Sequence, residues 1–396
     1  MSTQPHLNVV VTEVIAAASE AGGGEEYSNF SSVAGQSLIT WSWEVTTWSW
    51  YVVCELLIAI LGIIGNVIVI AVVFGRRSKS RSTDIFVGNL AIADFLTSIL
   101  LIPYPKVKSI PNTWTGELYC KVMEDTYLLW TTVTASIYSL VVVSLDRFFA
   151  VVYPIHFKRF ANRRLVNCIV CLIWVGSSIL MIRILLTNTT SVVIGKCAYR
   201  RPPRNQQIVY GIYVFVIRLA LPTVLMLVTQ TAIARSLRRE AARFASNEST
   251  ASFHQIARSR VLTLTLTFAL PAVLMLVTQI AIVRSLRREA TRFESNESTA
   301  SFHQTARSRV LTLTFAVVLI YFICWSPDQI AYFSFNLGLT PSFVRSPFAR
   351  VVTALAICNS CVNPILYTLR HPQFREAVTD FFRNTSKENT PIFEDL

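Results

Sequence analysis

Residues 134–154 read TASIYSLVVVSLDRFFAVVYP. An apolar run of about five turns ends in an acid and a base side by side, Asp146-Arg147, followed by Phe148, Phe149 and a short path to Pro154. A charged pair at the end of a membrane-length helix is costly in hydrocarbon, so it belongs at the interface, where it can act. The stretch reads as the cytoplasmic end of a transmembrane helix, with the other helices arranged around it.

The rest of the composition agrees. Of 396 residues 53% are hydrophobic and 15% charged, against about a quarter charged in a soluble domain. The long runs are apolar throughout rather than alternating, which selects helices over a membrane β-barrel. The formal charge of +13 does not point to nucleic acid, because the basic residues fall in short clusters between apolar runs, the positive-inside pattern. Clusters at 76–81 (Arg76, Arg77, Lys79, Arg81) and 158–164 (Lys158, Arg159, Arg163, Arg164) face the cytoplasm, whereas the first 50 residues carry five Glu and no Lys or Arg. The N-terminus is therefore expected outside a multi-pass plasma-membrane protein. The apolar run at 9–18 has no basic flank and is broken by Glu13, so no cleavable signal is expected.

Helical spans are predicted at roughly 50–74, 83–104, 120–150, 164–187, 207–236, 310–335 and 347–369. This is an all-α membrane protein, a seven-helix bundle with an amphipathic helix at 371–383 lying along the inner surface. Residues 1–48 form a disordered extracellular tail, residues 49–370 the helical domain, and 371–396 the amphipathic helix and cytoplasmic tail. Glycosylation acceptors are Asn29 and Asn188. The Trp-rich patch at 41–50 marks the membrane interface. Of eight Cys, six (Cys54, Cys168, Cys171, Cys324, Cys358, Cys361) fall in apolar runs and read as small buried hydrophobes, while Cys120 and Cys197 lie in outer segments and are expected to pair.

One apolar run, 261–283, is left over. Residues 220–265 match 269–314 at 40 of 46 positions, an offset of 49. Two copies are too few for a solenoid. The repeat is a recent tandem duplication or an error of gene prediction. If 261–283 crosses, everything after it is inverted, yet the flanking segments 235–260 and 284–309 carry six Arg apiece and both prefer the cytoplasm. Copy one is read as the fifth span, and copy two supplies Arg307-Ser308-Arg309 leading into the sixth.

Several short motifs stand in order along the spans: Gly65-Asn66-Val67; NLAIAD ending in Asp94; Trp114-Thr115-Gly116 before Cys120; Asp146-Arg147-Phe148; Trp174; Pro222; FICWSP with Trp325 and Pro327; and Asn363-Pro364-Ile365-Leu366-Tyr367. Together they resemble the rhodopsin-like (class A) G-protein-coupled receptors over about residues 50–383. The resemblance implies a cell-surface receptor that activates heterotrimeric G proteins by outward movement of span 6, with arrestin and a receptor kinase as further partners. It implies a sodium pocket of Asp94, Ser136, Asn359 and Asn363, and a switch in which Arg147 pairs with Asp146 at rest. Ile155 becomes the plug for a G-protein pocket, Tyr367 part of the same coupling machinery, and Trp325 the floor of a ligand pocket. Pro222, Ile137 and Tyr321 resemble the packing triad that links pocket to base, with Tyr321 where relatives have Phe. Departures are Phe148 for Tyr, Arg307 where an acid often completes the lock, and Gln230 where a Tyr often meets the rotated Arg.

Amine receptors carry an Asp in the middle of span 3. Counting back from Arg147 that place is Leu129; counting on from Cys120 it is Tyr127. Neither is acidic, which disfavours an amine. The outer half offers Glu124, Asp125, Asp328, Arg218, Tyr213 and Tyr332; a peptide with a basic residue fits these best. Intramembrane Asp328 and Arg218 either meet ligand or neutralise each other. Rival readings are a transporter or channel, and a receptor-like protein silenced by the duplication. No Walker loop, HExxH helix or paired nucleophile and base points to an enzyme, and no cofactor is implied beyond sodium.

Overall fold

Hydrocarbon offers no hydrogen bonds, so each apolar run must satisfy its backbone within itself, and it does so as helix. The computed structural model describes residues 41–44, 48–75, 82–105, 107–124, 126–160, 162–187, 191–193, 196–198, 202–245, 299–343, 346–370 and 372–383. The extra run 261–283, Asp125, Asn29 and Asn188 lie outside them. Among the described residues seven helices are long and apolar enough to cross a membrane. Spans 1 and 2 are Trp50–Gly75 and Ser82–Leu100, and span 3 is Trp114–Val152. Span 4 lies in the helix Arg163–Thr187, span 5 in Arg204–Ala245, span 6 in Thr299–Asn336 and span 7 in Pro347–Arg370. The helix of span 6 runs unbroken from Thr299, so the Arg307-Ser308-Arg309 of copy two does lead into it.

Span 1 packs on spans 2 and 7, span 2 on span 3, and span 6 on spans 5 and 7, while span 3 also touches spans 4 and 5. The main core gathers Leu90, Val133, Ile137, Leu219, Met226, Tyr321, Trp325 and Ala356 from five spans. A second core joins Val69 and Val72 of span 1 to Tyr367 of span 7 and to Phe374 and Ala377 of the amphipathic helix Pro372–Arg383. Large apolar side chains such as Leu61, Leu172, Ile179 and Val228 are exposed around the ring, where lipid rather than water meets them. Cys54, Cys168 and Cys171 belong to this outer surface and are exposed, contrary to the expectation of burial. Facing lipid satisfies an apolar side chain as well as a protein core does.

Polar side chains tie the spans together. The Asn66 side chain donates to the carbonyls of Gly62 (2.8 Å) and, on span 7, Ser360 (2.9 Å). A Cβ on Gly65 would lie 3.0 Å from Pro364, so glycine there admits the close approach of span 7. Asn89 donates to Ser139 Oγ (2.8 Å) and accepts from Trp174 Nε1 (2.9 Å), joining spans 2, 3 and 4.

Two spans contain a π turn. In span 3 it covers Cys120–Glu124 and is followed by Thr126 in the left-handed region at φ 55°. The regular helix then runs unbroken from Tyr127 to Val152. The irregular backbone between Cys120 and Arg147, across which the two counts part by two residues, thus falls before Tyr127, and counting back from Arg147 stays in helical phase. Leu129, not Tyr127, occupies the mid-span position. In span 5 the π turn covers Val216–Ala220, just ahead of Pro222. Proline has no N–H to give the preceding turn. The carbonyls left over take donors from neighbouring spans: the Tyr138 hydroxyl donates to Ile217 O (3.2 Å) and the Tyr321 hydroxyl to Arg218 O.

At one end of the bundle, β3 (Ser191–Val193) pairs antiparallel with β4 (Lys196–Ala198). Cys197 of β4 forms the expected disulfide with Cys120 at the head of span 3, Cα–Cα 5.5 Å. Beside them β1 (Ser42–Trp43) pairs with β2 (Val107–Ser109), and Trp41 sets its ring edge against Tyr119 at 5.5 Å. Residues 42–43 fall in the stretch expected to be disordered; backbone pairing and aromatic contact hold them to the bundle.

Candidate receptor core

Three polar centres lie along the bundle. The first is at the end opposite the disulfide. Arg147 donates through Nη2 to Asp146 Oδ2, and both side chains are buried. The same carboxylate accepts from Ser82 Oγ at 2.9 Å and Thr83 Oγ1 at 2.6 Å. Both hydroxyls stand on the first turn of span 2 and were not singled out from sequence; a Ser-Thr pair opening a helix reads as a cap. Gln230 of span 5 donates to Ser144 Oγ of span 3 at 3.2 Å, and Ser144 shares a hydrogen bond with Thr229. Ile155, in the first turn of the short helix Pro154–Phe160, is 78% exposed. Tyr367 is buried against Phe374, ring centroids 6.0 Å apart.

The second centre is Asp94, fully buried in span 2. Its Oδ1 accepts from Ser136 Oγ (2.6 Å) and its Oδ2 from Asn363 Nδ2 (2.9 Å). Asn359 is buried nearby in the chain, but among the described residues no hydrogen bond joins it to Asp94. One carboxylate with hydroxyl and amide oxygens is a donor set that suits a hard cation.

The third centre lies towards the disulfide end. Trp325 is buried, in ring contact with Tyr321 at 6.5 Å, and its indole Nε1 has no hydrogen-bond partner among the described residues. Arg218 is buried in the π turn of span 5, its guanidinium 4.0 Å from the centroid of the Trp130 ring. Asp328 Oδ1 accepts from Thr353 (2.8 Å) and Oδ2 from Gln329 (3.0 Å). Among the described residues no ion pair within 4 Å links Arg218 to Asp328, so mutual neutralisation by direct contact is not what holds either of them. Tyr332 packs against Phe343, Ala349 and Val352 near the start of span 7. The Tyr213 hydroxyl is taken by Leu180 O at 2.7 Å.

The Tyr321 hydroxyl makes a bond that no Phe could. It clamps span 6 to span 5 at the carbonyl freed by Pro222. Tyr321→Phe leaves that carbonyl buried without its donor, a cost of about 1–3 kcal/mol. The expected result is a melting temperature lower by a few degrees in a fluorescence melt of the purified protein, the shift per kcal/mol falling as chain length grows. An unchanged melt would mean that the clamp contributes nothing.

Seven apolar helices among the described residues, wound around three buried polar centres with an acid–base pair at one end and a disulfide at the other, define a multi-pass membrane receptor bundle. The profile described as 7 transmembrane receptor (rhodopsin family) matches residues 65–367. The chain belongs to that family: it is a plasma-membrane receptor of the class that signals through G proteins. It is 27% identical to the Allatostatin-A receptor of Bombyx mori over 81% of this chain and 76% of the relative. To the Cholecystokinin receptor of Xenopus laevis it is 24% identical over 83% of this chain and 76% of the relative. A shorter match, 36% identical over 31% of this chain and 26% of the relative, is to the Alpha-1A adrenergic receptor of Oryzias latipes.

Proposed function

We propose that this protein binds an extracellular peptide among spans 3, 5, 6 and 7 and, through the Asp146–Arg147 switch, activates a heterotrimeric G protein. The observation that carries the ligand class is the phase of span 3. Leu129, which leaves the mid-span position of amine receptors without a carboxylate, lies in unbroken helical register with Arg147. The two relatives matched over four-fifths of the chain carry peptide-receptor names, which supports the same reading. The N-terminus and disulfide face outward, following the basic clusters. Asp125, Arg218, Trp325, Asp328 and Tyr332 contribute to the ligand site. Asp146, Arg147, Ile155 and Tyr367 serve the G protein, with arrestin and a receptor kinase acting at the same face. Asp94, Ser136, Asn363 and Asn359 would hold a sodium ion, which would favour the resting packing by supplying positive charge to the buried carboxylate.

The test is basal nucleotide exchange on purified G-protein heterotrimers by the full chain in lipid nanodiscs. Exchange above empty discs is expected. It falls several-fold when sodium replaces potassium, and Asp94→Asn loses that dependence. Exchange no faster than empty discs with every heterotrimer tried, together with ion flux in vesicles of the same protein, would replace the receptor mechanism with a transport one.

A further inference from the structure

Among the described residues Arg218 makes no ion pair within 4 Å. Its fork offers five N–H donors. One face is covered by Trp130 at 4.0 Å, and among the described residues Nη2 reaches only the thioether sulfur of Met181 at 3.0 Å, a weak acceptor. Nε is buried and makes no hydrogen bond with any described residue. Asp328 on the facing helix acts on it only from beyond ion-pair distance: its oxygens accept from Thr353 and Gln329, and among the described residues no ion pair within 4 Å joins it to Arg218. On the same stretch of span 6, Trp325 Nε1 is a second buried donor without a partner, and one turn further along Gln329 Oε1 is an unfilled acceptor. Tyr321 connects the two elements, bonding the Arg218 carbonyl and contacting the Trp325 ring. A buried guanidinium left unpaired is expensive, and the group that relieves it most is a planar anion in the plane of its fork. An indole over the face leaves that edge as the route of approach.

We propose that Arg218 is the seat of an acidic group of the ligand, a carboxylate, with Trp325 Nε1 as auxiliary donor and Gln329 Oε1 accepting an adjoining amide N–H. This rests on the peptide-receptor reading and adds to it the chemistry of one subsite. A peptide ending in a free carboxylate, or one bearing an Asp or Glu at the buried end, meets these requirements. A basic group on the same ligand would turn towards Asp328. A free halide shares the negative charge but uses neither the fork geometry nor the Gln329 acceptor.

Iodide quenches indole fluorescence and would enter such a site beside Trp130. In the full chain in nanodiscs, iodide is expected to give a saturable quenching component above the linear background from surface tryptophans. N-acetylglycine, which carries a carboxylate and one amide N–H, should displace it and raise the melting temperature; N-acetylglycinamide should do neither. The component is weakened in Arg218→Lys, which keeps the charge and loses the fork, and is absent in Arg218→Gln. It is also absent in Trp130→Phe, whose melting temperature N-acetylglycine still raises. Chloride displacing iodide as effectively as N-acetylglycine would assign a free halide and overturn the ligand-group assignment. No saturable component, or one equal in Arg218→Gln, would overturn the site itself. Arg218→Lys guards against a folding defect in the neutral variant. Basal nucleotide exchange by the wild type, measured in the same discs, reports the receptor reading separately from this one.

Discussion

Replacing Asp146 by Asn raises basal nucleotide exchange about ten-fold, which corresponds to about 1.4 kcal/mol of lost restraint. The Asn keeps the shape and one acceptor oxygen for Ser82 or Thr83, but the charge opposite Arg147 is gone. Removing one partner of a buried ion pair costs about 3–5 kcal/mol, because the other charge is left in low dielectric. Arg147 can recover part of that by leaving its resting position, and the part recovered is what drives the equilibrium. The control is Ser82→Ala with Thr83→Val. These changes remove hydroxyl donors at 2.9 and 2.6 Å and leave the ion pair, so the rise should be smaller. Receptors in nanodiscs with matched protein amounts would report both. A folded Asp146→Asn protein with wild-type basal exchange would show that the pair is only an interfacial anchor.

The second large effect is on folding. Cys197→Ala opens a loop whose ends are 77 residues apart in sequence, and the chain-entropy treatment puts the loss at about 4.5 kcal/mol. That approaches the whole net stability of many domains. The damage is local as well as global. The disulfide fastens β4 to the π turn that opens span 3, and Ile110 and Val107 pack on the same cysteines. Surface labelling of intact cells should fall to a small fraction of wild type, with the remainder retained inside. Undiminished surface labelling with an unchanged melt would mean that the strands and helix packing hold this end without the bond.

Most of the bundle was legible in the sequence, because a membrane span must be apolar over its whole length and little else looks like that. The paired cysteines were legible from their place at the outer end of the bundle. What the sequence hid was of two kinds. Which face of an apolar helix meets protein and which meets lipid leaves little trace, since both are hydrophobic; hence the misjudged Cys54, Cys168 and Cys171. The partners of buried polar groups that the family resemblance did not supply were hidden because they come from distant helices. Ser82 and Thr83 look like caps until span 3 brings Asp146 to them. Tyr321 looks like a substituted Phe until Pro222 leaves a carbonyl for its hydroxyl.

The sequence by itself determined that this chain is a bundle of membrane helices, where its apolar runs lie, and that a charged pair ends the third span. Local chemistry suffices for those facts: hydropathy, proline and cysteine position, and the cost of charge in lipid. Only the tertiary structure decided how the other buried charges are answered. It added two hydroxyls to the Asp146 carboxylate, closed Asp328 with a threonine and a glutamine, and left Arg218 against an indole face with a donor to spare. Hydrogen bonding acts over about 3 Å, so these pairings exist only once packing has set the helices side by side.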